Sequence, residues 1–229
     1  MLTVFYSDIN TAFQVNSYES GLAMMPEVIK NRIEKFYHQD DRKLSLMGKL
    51  LLCKQLHYHG LAEKLPLQLL HEDEYGRPYF HSEFDFNISH SGKYAICTAS
   101  KNCRVGTDIE EVRKINFSDF TDFFSNNEWN LIHNANDPLT SFYKLWSRKE
   151  ALVKADGTGI RILHEIEAID DTVSIGNREF AIKALQVDDQ YQASIAYTGS
   201  VQKILVEKIS FNFRGVSGNY NAYVNISEF

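Results

Sequence analysis

The same order of segments, one long amphipathic helix followed by short β-type segments, occurs twice along this chain and strongly limits its fold. In the first half, apolar residues at helical spacing mark Asp41–His57, and two β-type segments follow. In the second half, the strongest helical pattern covers Thr140–Ala155, and β-type segments again follow. We therefore predict an α+β fold with two similar halves, residues 1–102 and 103–229.

Shorter segments complete the predicted secondary structure. Alternating apolar residues predict strands, apolar residues three or four apart predict helices, and glycine or proline marks turns. The predicted strands cover Leu2–Tyr6, Phe84–Ile88, Lys93–Ser100, Arg104–Glu110, Glu179–Gln186, Gln190–Tyr197 and Ile204–Phe213, the last three as β-hairpins. Further predicted elements are helices over Pro26–Tyr37 and Phe123–His133 and turns over Glu74–Pro78 and Ser89–Gly92. The similarity of Tyr94–Ser100 to Tyr191–Tyr197 permits an internal duplication with its boundary near Asn102.

The composition argues against several classes of protein. With 44% hydrophobic residues among 229, the chain can bury a core, so the bulk of it is not disordered. A net charge of −6 argues against non-specific nucleic-acid binding, which needs a basic surface. Three cysteines without a C-x-x-C pair argue against a disulfide framework and a structural zinc site. Because the N-terminus does not resemble a signal peptide and apolar runs fall short of the roughly 20 residues that cross a bilayer, we expect a cytoplasmic protein.

One lysine interrupts the apolar face of the helix over Thr140–Ala155. On a helical wheel of about 100° per residue, Lys149 falls within the buried arc. The apolar members of that arc are Phe142, Leu145, Trp146, Leu152 and Val153. A lysine in this position requires a partner or an anionic ligand. Glu150 and Lys154 share the flank of the arc, where they form either a solvent-facing ion pair or part of a polar site.

Two acidic residues share one face of a predicted strand. Residues two apart on a strand point to the same side, so Asp108 and Glu110 present both carboxylates together. Clustered carboxylates repel unless a cation or a basic group lies between them, and Mg²⁺ prefers such oxygen ligands. Gly106 is consistent with the close approach of another segment or of a ligand. The alternative is a solvated strand end with two exposed acids.

The segment Asn87-Ile-Ser-His-Ser-Gly92 combines hydroxyl groups, an imidazole and a glycine. As a polar turn after an apolar strand, it can present Ser89 and His90 to a phosphate. An ordinary hairpin connection explains the same residues equally well.

These features, taken in order, resemble the signature motifs of the 4′-phosphopantetheinyl transferases, of the long, single-chain, surfactin-synthetase-activating type. The matching segments are Val105-Gly-Thr-Asp-Ile-Glu110, Phe123-Phe-Ser-Asn-Asn-Glu128 and Leu145-Trp-Ser-Arg-Lys-Glu-Ala-Leu-Val-Lys154, with Tyr75-Gly-Arg-Pro78 and Phe86-Asn-Ile-Ser-His-Ser-Gly92 upstream. Each motif is modest alone, but five in the right order are highly specific.

The resemblance implies an enzyme that transfers the 4′-phosphopantetheine group of coenzyme A to a serine of an apo carrier protein and releases adenosine 3′,5′-bisphosphate. It implies a pseudo-dimer of two subdomains, each a long helix packed on a small antiparallel sheet, with the active site in the cleft between them. Residues 1–102 would form the adenine and 3′-phosphate side, and residues 103–229 the metal and catalytic side. The expected partners are coenzyme A and an acyl or peptidyl carrier protein, and we expect a monomer that binds neither nucleic acid nor a membrane.

The resemblance also implies a role for individual residues. Mg²⁺ would be held by Asp108, Glu110 and Glu150. Lys154 would contact the pyrophosphate of coenzyme A. Glu128 would support the catalytic centre, which also contains Glu150 and Lys154. The implied coenzyme A contacts are Tyr75, Gly76, Arg77 and Pro78 around the adenine and Ser89 and His90 at the 3′-phosphate, with Arg32 and Ser45 aligned beside them. Members of the family carry more basic residues in the first helices, for which Arg42 or Lys43 could substitute here.

Two other functions compete with a transferase. A non-catalytic module that binds coenzyme A or a carrier protein would be expected to have lost an acid or Lys154, and all of them are present. A Mg²⁺-dependent nucleotide hydrolase would explain the carboxylates but not the Tyr-Gly-Arg-Pro and Ser-His-Ser-Gly segments together. Phosphoryl transfer needs positive charge at the bridging oxygens and a positioned nucleophile, and a metal held by strand and helix carboxylates plus one lysine supplies the charge.

Overall fold

Two four-stranded sheets, each packed against one long helix, dominate the computed structural model, which describes residues 1–13 and 17–211 apart from the side chains at 160 and 161. The helices are α1 Ile9–Ala12, α2 Ser17–Ala23, α3 Glu27–Glu34, α4 Gln39–Tyr58, α5 Asn126–His133 and α6 Pro138–Asp156. The strands are β1 Leu2–Asp8, β2 His71–Glu72, β3 Pro78–Tyr79, β4 Asp85–Ser91, β5 Tyr94–Ser100, β6 Val105–Glu111, β7 Thr172–Ile175, β8 Arg178–Leu185, β9 Tyr191–Thr198 and β10 Ile204–Lys208. Short 3₁₀ segments cover Leu67–Leu69, Phe117–Phe123 and Ile160–Glu165.

The first sheet has the strand order β10-β1-β5-β4 and carries α4 on one face. β1 and β5 pair antiparallel, with Leu2 opposite Ser100 and Asp8 opposite Tyr94. Leucines of α4 fill the core against this sheet. The fully buried Gln55 of α4 also donates to the carbonyl of Cys97 at 2.8 Å, so a polar contact fixes the helix over the strands.

The second sheet has the order β6-β9-β8-β7, is antiparallel throughout and carries α6. Asp137 caps the start of α6 by accepting from the backbone of Leu139 and Thr140, and Pro138 occupies its first turn, where a missing N–H costs nothing. Gly157 ends the helix in the left-handed region at φ 86°. The predicted apolar arc is confirmed: its members are buried, with Trp146 half-buried.

The close approach predicted at Gly106 comes from α6. A side chain at this position would overlap the carbonyl of Ala151 and the backbone of Ala155. The absence of a side chain therefore lets the helix lie directly on β6. This contact brings the carboxyl-terminal half of α6 against the strand that carries Asp108.

Polar side chains join the two sheets where β4 runs beside β6. Asp85 accepts from the N–H of Val105 at 2.8 Å, and Asn87 accepts from the N–H of Thr107 at 3.0 Å. Farther along, Ser91 accepts from the N–H of Glu111 at 3.1 Å. These side chains satisfy backbone donors that β9 leaves unpaired. Residues of β4 thereby hold a fixed register against β6.

Two of the secondary-structure predictions made from the sequence are wrong. Ser89 to Ser91 belong to β4, and the turn begins at Gly92, because the polar side chains of this strand find partners on β6. The last predicted hairpin strand is instead β10, which pairs parallel with β1 in the other sheet. β1 is buried on both faces and therefore needs hydrogen-bonding strands on both of its edges. Residues 212 and 213 of the predicted strand lie outside the described residues.

No helix among the described residues combines the length and the apolar character that a membrane crossing requires.

Candidate active site

An ammonium group meets a buried carboxylate where β4, β6 and α6 converge. Nζ of Lys154 lies 2.6 Å from Oδ1 of Asp108 and 3.1 Å from Oγ of Ser89. Ser89 donates a hydrogen bond of 2.9 Å to the same oxygen of Asp108. Within the described residues, Lys154 is paired with Asp108 of β6 and not with Glu150 of its own helix. The solvent-facing Glu150–Lys154 pair is therefore wrong as an alternative.

Three carboxylates share this site. The Oδ2 atom of Asp108 is buried and has no hydrogen-bond partner in the described part of the structure. Glu110 follows on the same side of β6 and accepts from Ser91 at 3.1 Å. Burial and the Asp108 carboxylate raise the pKa of Glu110 to about 7. Burial also raises the pKa of Glu150, a shift that Lys154 opposes and Asp108 reinforces.

Lys154 provides the positive charge that this acidic cluster needs. Burial lowers the pKa of Lys154, but the carboxylates of Asp108 and Glu150 outweigh that effect and leave the pKa raised. The ammonium is therefore charged at neutral pH. Among residues 1–13 and 17–211, no three carboxyl, imidazole or thiol groups converge closely enough to hold a metal ion in this conformation.

Glu128 is the partner that the buried position of Lys149 requires. The two side chains are completely buried, and Nζ of Lys149 lies 2.8 Å from Oε2 of Glu128. Glu128 also completes the predicted capping box with Ser125 and accepts from the N–H of Ala168 at 2.9 Å. Its described contacts thus tie α5 and the segment before β7 to α6, and none of them reaches Asp108.

The segment that begins at Tyr75 forms the predicted turn, with Gly76 at φ 78°. Oδ1 of Asp73 accepts from the N–H groups of Tyr75 and Arg77, both at 2.9 Å. The ring of Tyr75 is half exposed, whereas the guanidinium of Arg77 points inward to acceptors of β4, β6 and α6. Pro78 begins β3 and pairs with Glu72.

Ser89 and His90 point to opposite faces of β4, because consecutive strand residues alternate. Ser89 is buried against Asp108, and His90 is exposed on the other face. Loss of surrounding water and the Lys154 charge lower the pKa of His90, and Asp41 partly opposes them. The structure therefore does not bring the side chains of Ser89 and His90 together on one phosphate.

The basic residues of the first helices have protein partners. Arg32 pairs with Glu72. Arg42 donates to the carbonyl of Phe36 at 2.8 Å, and Lys43 pairs with Asp40 at 3.2 Å.

Lys49 is a cation near His90 that the sequence interpretation missed. It lies on α4, one turn after the half-buried Ser45. Burial lowers the pKa of Lys49, Glu72 raises it and Arg32 lowers it, so the three groups share one neighbourhood. The spacing of four from Ser45 is the signal that could have identified it.

A cavity of about 770 Å³ opens near the start of β4 and β6. Arg77, Asp85 and Arg104 line it together with residues of both sheets. None of the three site carboxylates is among its lining residues. The cavity and the carboxylate cluster therefore occupy different parts of the contact between the sheets.

Comparison with protein families agrees with the order of these motifs. The model described as 4′-phosphopantetheinyl transferase superfamily matches residues 104–202. A second model, described as 4′-phosphopantetheinyl transferase, N-terminal, matches residues 14–102.

Individual relatives carry the same name. The 4′-phosphopantetheinyl transferase Sfp of Bacillus subtilis is 28% identical over 72% of this chain and 79% of its own length. The transferase gsp of Aneurinibacillus migulanus is 35% identical over 56% of this chain and 54% of its own length. A Haemophilus influenzae protein assigned as a 4′-phosphopantetheinyl transferase is 34% identical over 69% of this chain and 68% of its own length. The chain belongs to the 4′-phosphopantetheinyl transferase superfamily.

One solved structure, a Thermotoga maritima holo-[acyl-carrier-protein] synthase, aligns with 41% of this chain and 61% of its own, at 16% identity and a TM-score of 0.31. This likeness is too limited to support the fold.

Proposed function

We propose that this protein transfers the 4′-phosphopantetheine group of coenzyme A to a serine hydroxyl of an apo carrier protein and releases adenosine 3′,5′-bisphosphate. The observation that carries the proposal is the contact of Lys154 with Asp108 beside two further acids with raised pKa values, in a chain of this family. A site of this kind combines a fixed cation, a candidate base and oxygen ligands, which are the parts that phosphoryl transfer requires.

Although no three carboxyl, imidazole or thiol groups of the described residues converge in this conformation, the chemistry of the donors suits a divalent cation. Oδ2 of Asp108 is a buried oxygen without a hydrogen-bond partner among the described residues. Burial and Asp108 raise the pKa of Glu110 to about 7, and burial raises the pKa of Glu150. Asp108, Glu110 and Glu150 would hold the ion, since Mg²⁺ takes carboxylate oxygens and retains positions for phosphate. When bound, Mg²⁺ would neutralise charge on the pyrophosphate of coenzyme A.

The chain's own residues supply the remaining chemistry. The serine oxygen forms a bond to the β-phosphorus as the bond to the departing adenosine 3′,5′-bisphosphate breaks. Glu150 is the proposed base for the serine proton, because a carboxylate with a raised pKa accepts a proton more readily near pH 7. Lys154 remains charged and stabilises the departing phosphate oxygen without having to release a proton.

Coenzyme A is proposed to lie between two similar halves, residues 1–102 and 103–229, with β10 of the second half joining the sheet of the first. The order β1-β5-β4 in the first sheet corresponds to β6-β9-β8 in the second, and each set carries a long helix. Tyr94 and Tyr191 begin corresponding strands, and their rings touch at a centroid distance of 4.9 Å. Contact between equivalent residues is what a pseudo-two-fold axis produces.

The first half is proposed to bind the nucleotide end of coenzyme A. The half-exposed ring of Tyr75 and the turn at Gly76 and Pro78 are available to the adenine. His90 is the proposed contact for the 3′-phosphate, and the nearby cations Lys49 and Arg32, with Ser45, add to the same neighbourhood. Such charge-assisted contacts are stronger than neutral hydrogen bonds.

A non-catalytic binding module is not favoured, because the three acids and Lys154 are all retained and arranged around one charge. A cytoplasmic location and a monomeric state belong to the same proposal. The acyl or peptidyl carrier protein is the second substrate.

Intact-mass analysis of an apo carrier protein tests the function. The carrier is incubated with the enzyme, coenzyme A and Mg²⁺, and the expected result is the gain of one phosphopantetheine on its serine. A carrier with that serine replaced by alanine is the control. No gain across fatty-acid, polyketide and peptide carriers would overturn the proposal, and release of adenosine 3′,5′-bisphosphate without any carrier would favour a hydrolase instead.

A further inference from the structure

The guanidinium of Arg77 is enclosed by acceptors of the protein itself. Its side chain is only 9% exposed, and one terminal nitrogen lies 2.8 Å from both carboxylate oxygens of Asp85. The same nitrogen lies 3.0 Å from the carbonyl of Val105, and the other terminal nitrogen donates to the carbonyl of Lys154. The group therefore has little capacity left for a ligand.

These acceptors come from both sheets. Asp85 begins β4 of the first sheet, and Val105 begins β6 of the second. Asp85 also accepts from the N–H of Val105 at 2.8 Å, so one carboxylate binds the arginine and the start of β6 together. A planar guanidinium can bridge a carboxylate and a carbonyl in fixed directions, which an ammonium cannot do.

The contact with Lys154 links this arrangement to the carboxylate site. Backbone carbonyls in the last turn of a helix lack intrahelical partners, and α6 ends at Asp156. Arg77 satisfies the carbonyl of the residue whose Nζ lies on Asp108. Loss of this contact would release the carbonyl of Lys154 itself and let its ammonium leave its position, while Arg104 still holds the carbonyls of Ala155 and Asp156.

We propose that Arg77 is a positioning residue of the transfer reaction, held by Asp85 and acting through the last turn of α6 on Lys154. Arg77 does not bind coenzyme A in this assignment, although the surrounding turn does. The inference rests on the proposed transferase function. It assigns the same positioning role to Asp85, which holds Arg77.

The variants Arg77→Ala, Arg77→Lys and Asp85→Asn test this role. A displacement of about 1 Å in an active site costs on the order of 100-fold in rate, so Arg77→Ala and Asp85→Asn should both lower kcat by about 10- to 100-fold. Their KM for coenzyme A should change little. Because the two residues act as one unit, the double variant should be no slower than the slower single variant. Arg77→Lys keeps the charge but not the bridge and should recover only part of kcat.

Dephospho-coenzyme A separates positioning from ligand binding. A positioning residue lowers kcat by the same factor with coenzyme A and with this analogue, which lacks the 3′-phosphate. A phosphate ligand would instead raise KM for coenzyme A more than for the analogue. An Asp85→Asn variant with full kcat, or a selective rise in KM in Arg77→Ala, would overturn the proposal.

Arg104→Ala is the matched control. Arg104 caps the same helix end through the carbonyls of Ala155 and Asp156, at 2.9 and 3.0 Å, without contacting Lys154. We expect its kcat to stay within about threefold of wild type, as for a change outside the site. An equal loss of kcat in Arg104→Ala would contradict the specific role of Arg77.

A second readout does not depend on transfer. The rate at which an amine-reactive reagent labels Lys154, measured by mass spectrometry, should rise several-fold in Arg77→Ala and Asp85→Asn but not in Arg104→Ala. Unchanged labelling in the two variants would overturn the inference even where melting temperatures fall. If the variants show this labelling pattern but the wild-type protein transfers nothing, the proposed function is overturned and the link between Arg77 and Lys154 still stands.

Discussion

The ammonium of Lys149 lies 2.8 Å from the carboxylate of Glu128, and both side chains are completely buried. Two charges removed from water stabilise a fold only while each has the other, so the pair ties α5 to α6 without adding large net stability. Burial nevertheless lowers the pKa of Lys149, and Glu128 opposes that shift. Since Glu150 follows directly on α6, the pair sets where the proposed base lies.

Removing one member of this pair should be strongly destabilising. We expect Glu128→Gln or Lys149→Met to lower the free energy of unfolding by about 3–5 kcal/mol, because each leaves an uncompensated buried charge. The double variant should recover a large part of the loss, and denaturant titration measures all three. Single-variant losses below about 0.5 kcal/mol would contradict a coupled buried pair. A double variant that is stable but inactive would give Glu128 a chemical role beyond support.

His59 should make the fold sensitive to acid. Burial lowers the pKa of His59 to about 4, with Lys101 and the amino terminus adding to the effect, and its ring lies 2.9 Å from the hydroxyl of Thr3. Between about pH 6.5 and 4, His59 is therefore protonated in the unfolded chain but neutral in the folded chain. Stability contributed by the neutral ring is present above pH 6.5 and is lost as the pH falls through this range.

Melting temperatures measured across that range test the expectation. His59→Gln keeps a partner for Thr3 but does not titrate, so its melting temperature should fall less steeply with acid than that of wild type. Parallel curves for His59→Gln and wild type would contradict the prediction.

Magnesium should stabilise the protein through Asp108. We expect Mg²⁺ to raise the melting temperature of wild type, EDTA to reverse the rise, and Asp108→Ala to abolish both the rise and transfer. Because metal ligands must be deprotonated and burial raises the pKa of Glu110 to about 7, the rise should be larger at pH 8 than at pH 6. Full transfer in EDTA would rule out the metal.

Local signals predicted much of the fold. Gly157 gives the end of α6, whose start at Pro138 lies two residues before the predicted Thr140. The Ser125–Glu128 spacing predicts the capping box that the structure contains. Each of these features depends on neighbours within one or two turns. The lysine on the apolar face of α6 likewise predicted a partner, though the spacing could not name Glu128.

Features with distant partners could not be read locally. Ser89 belongs to a strand because its acceptor, Asp108, lies on β6. Arg77 turns inward to acceptors that lie 8 to 77 residues away along the chain, so its orientation has no local signal. β10 pairs with β1 across nearly the whole chain. Hydrophobic periodicity carries no information on such pairings, so the inward arginine and the opposite faces of Ser89 and His90 emerge only from the structure.

His90 should act on the 3′-phosphate alone. Charge-assisted contacts with phosphate are worth about 1.5–3 kcal/mol, so His90→Ala should raise KM for coenzyme A by roughly tenfold or more and affect dephospho-coenzyme A far less. Since the pKa of His90 is lowered in the free protein, affinity for coenzyme A should increase as the pH falls, and the variant should lose that trend. Ser89→Ala, on the opposite face, should change kcat with both substrates. An equal rise in KM for coenzyme A and for dephospho-coenzyme A in His90→Ala would contradict the assignment.

Glu150 and Lys154 should separate chemistry from binding. General acid–base assistance is typically worth 10²–10⁴-fold, so Glu150→Gln, which keeps the shape but removes the base, should lower kcat by about that factor or more. Part of the acid limb of the pH–rate profile should be lost with it, because burial raises the pKa of Glu150, and the part that belongs to Glu110 should remain. Near-wild-type kcat in this variant would end its assignment as the base.

Lys154→Ala should also lower kcat, with a smaller effect on the binding of coenzyme A. Lys154 lies on a buried carboxylate, so its removal leaves Asp108 without its cation and should lower the melting temperature as well. Lys154→Arg keeps the charge and restores the melting temperature, but its larger planar group no longer matches the space beside Ser89, so kcat should recover only in part. If Lys154→Ala lost stability while keeping full kcat, the ammonium would serve the fold through Asp108 and not the departing phosphate oxygen.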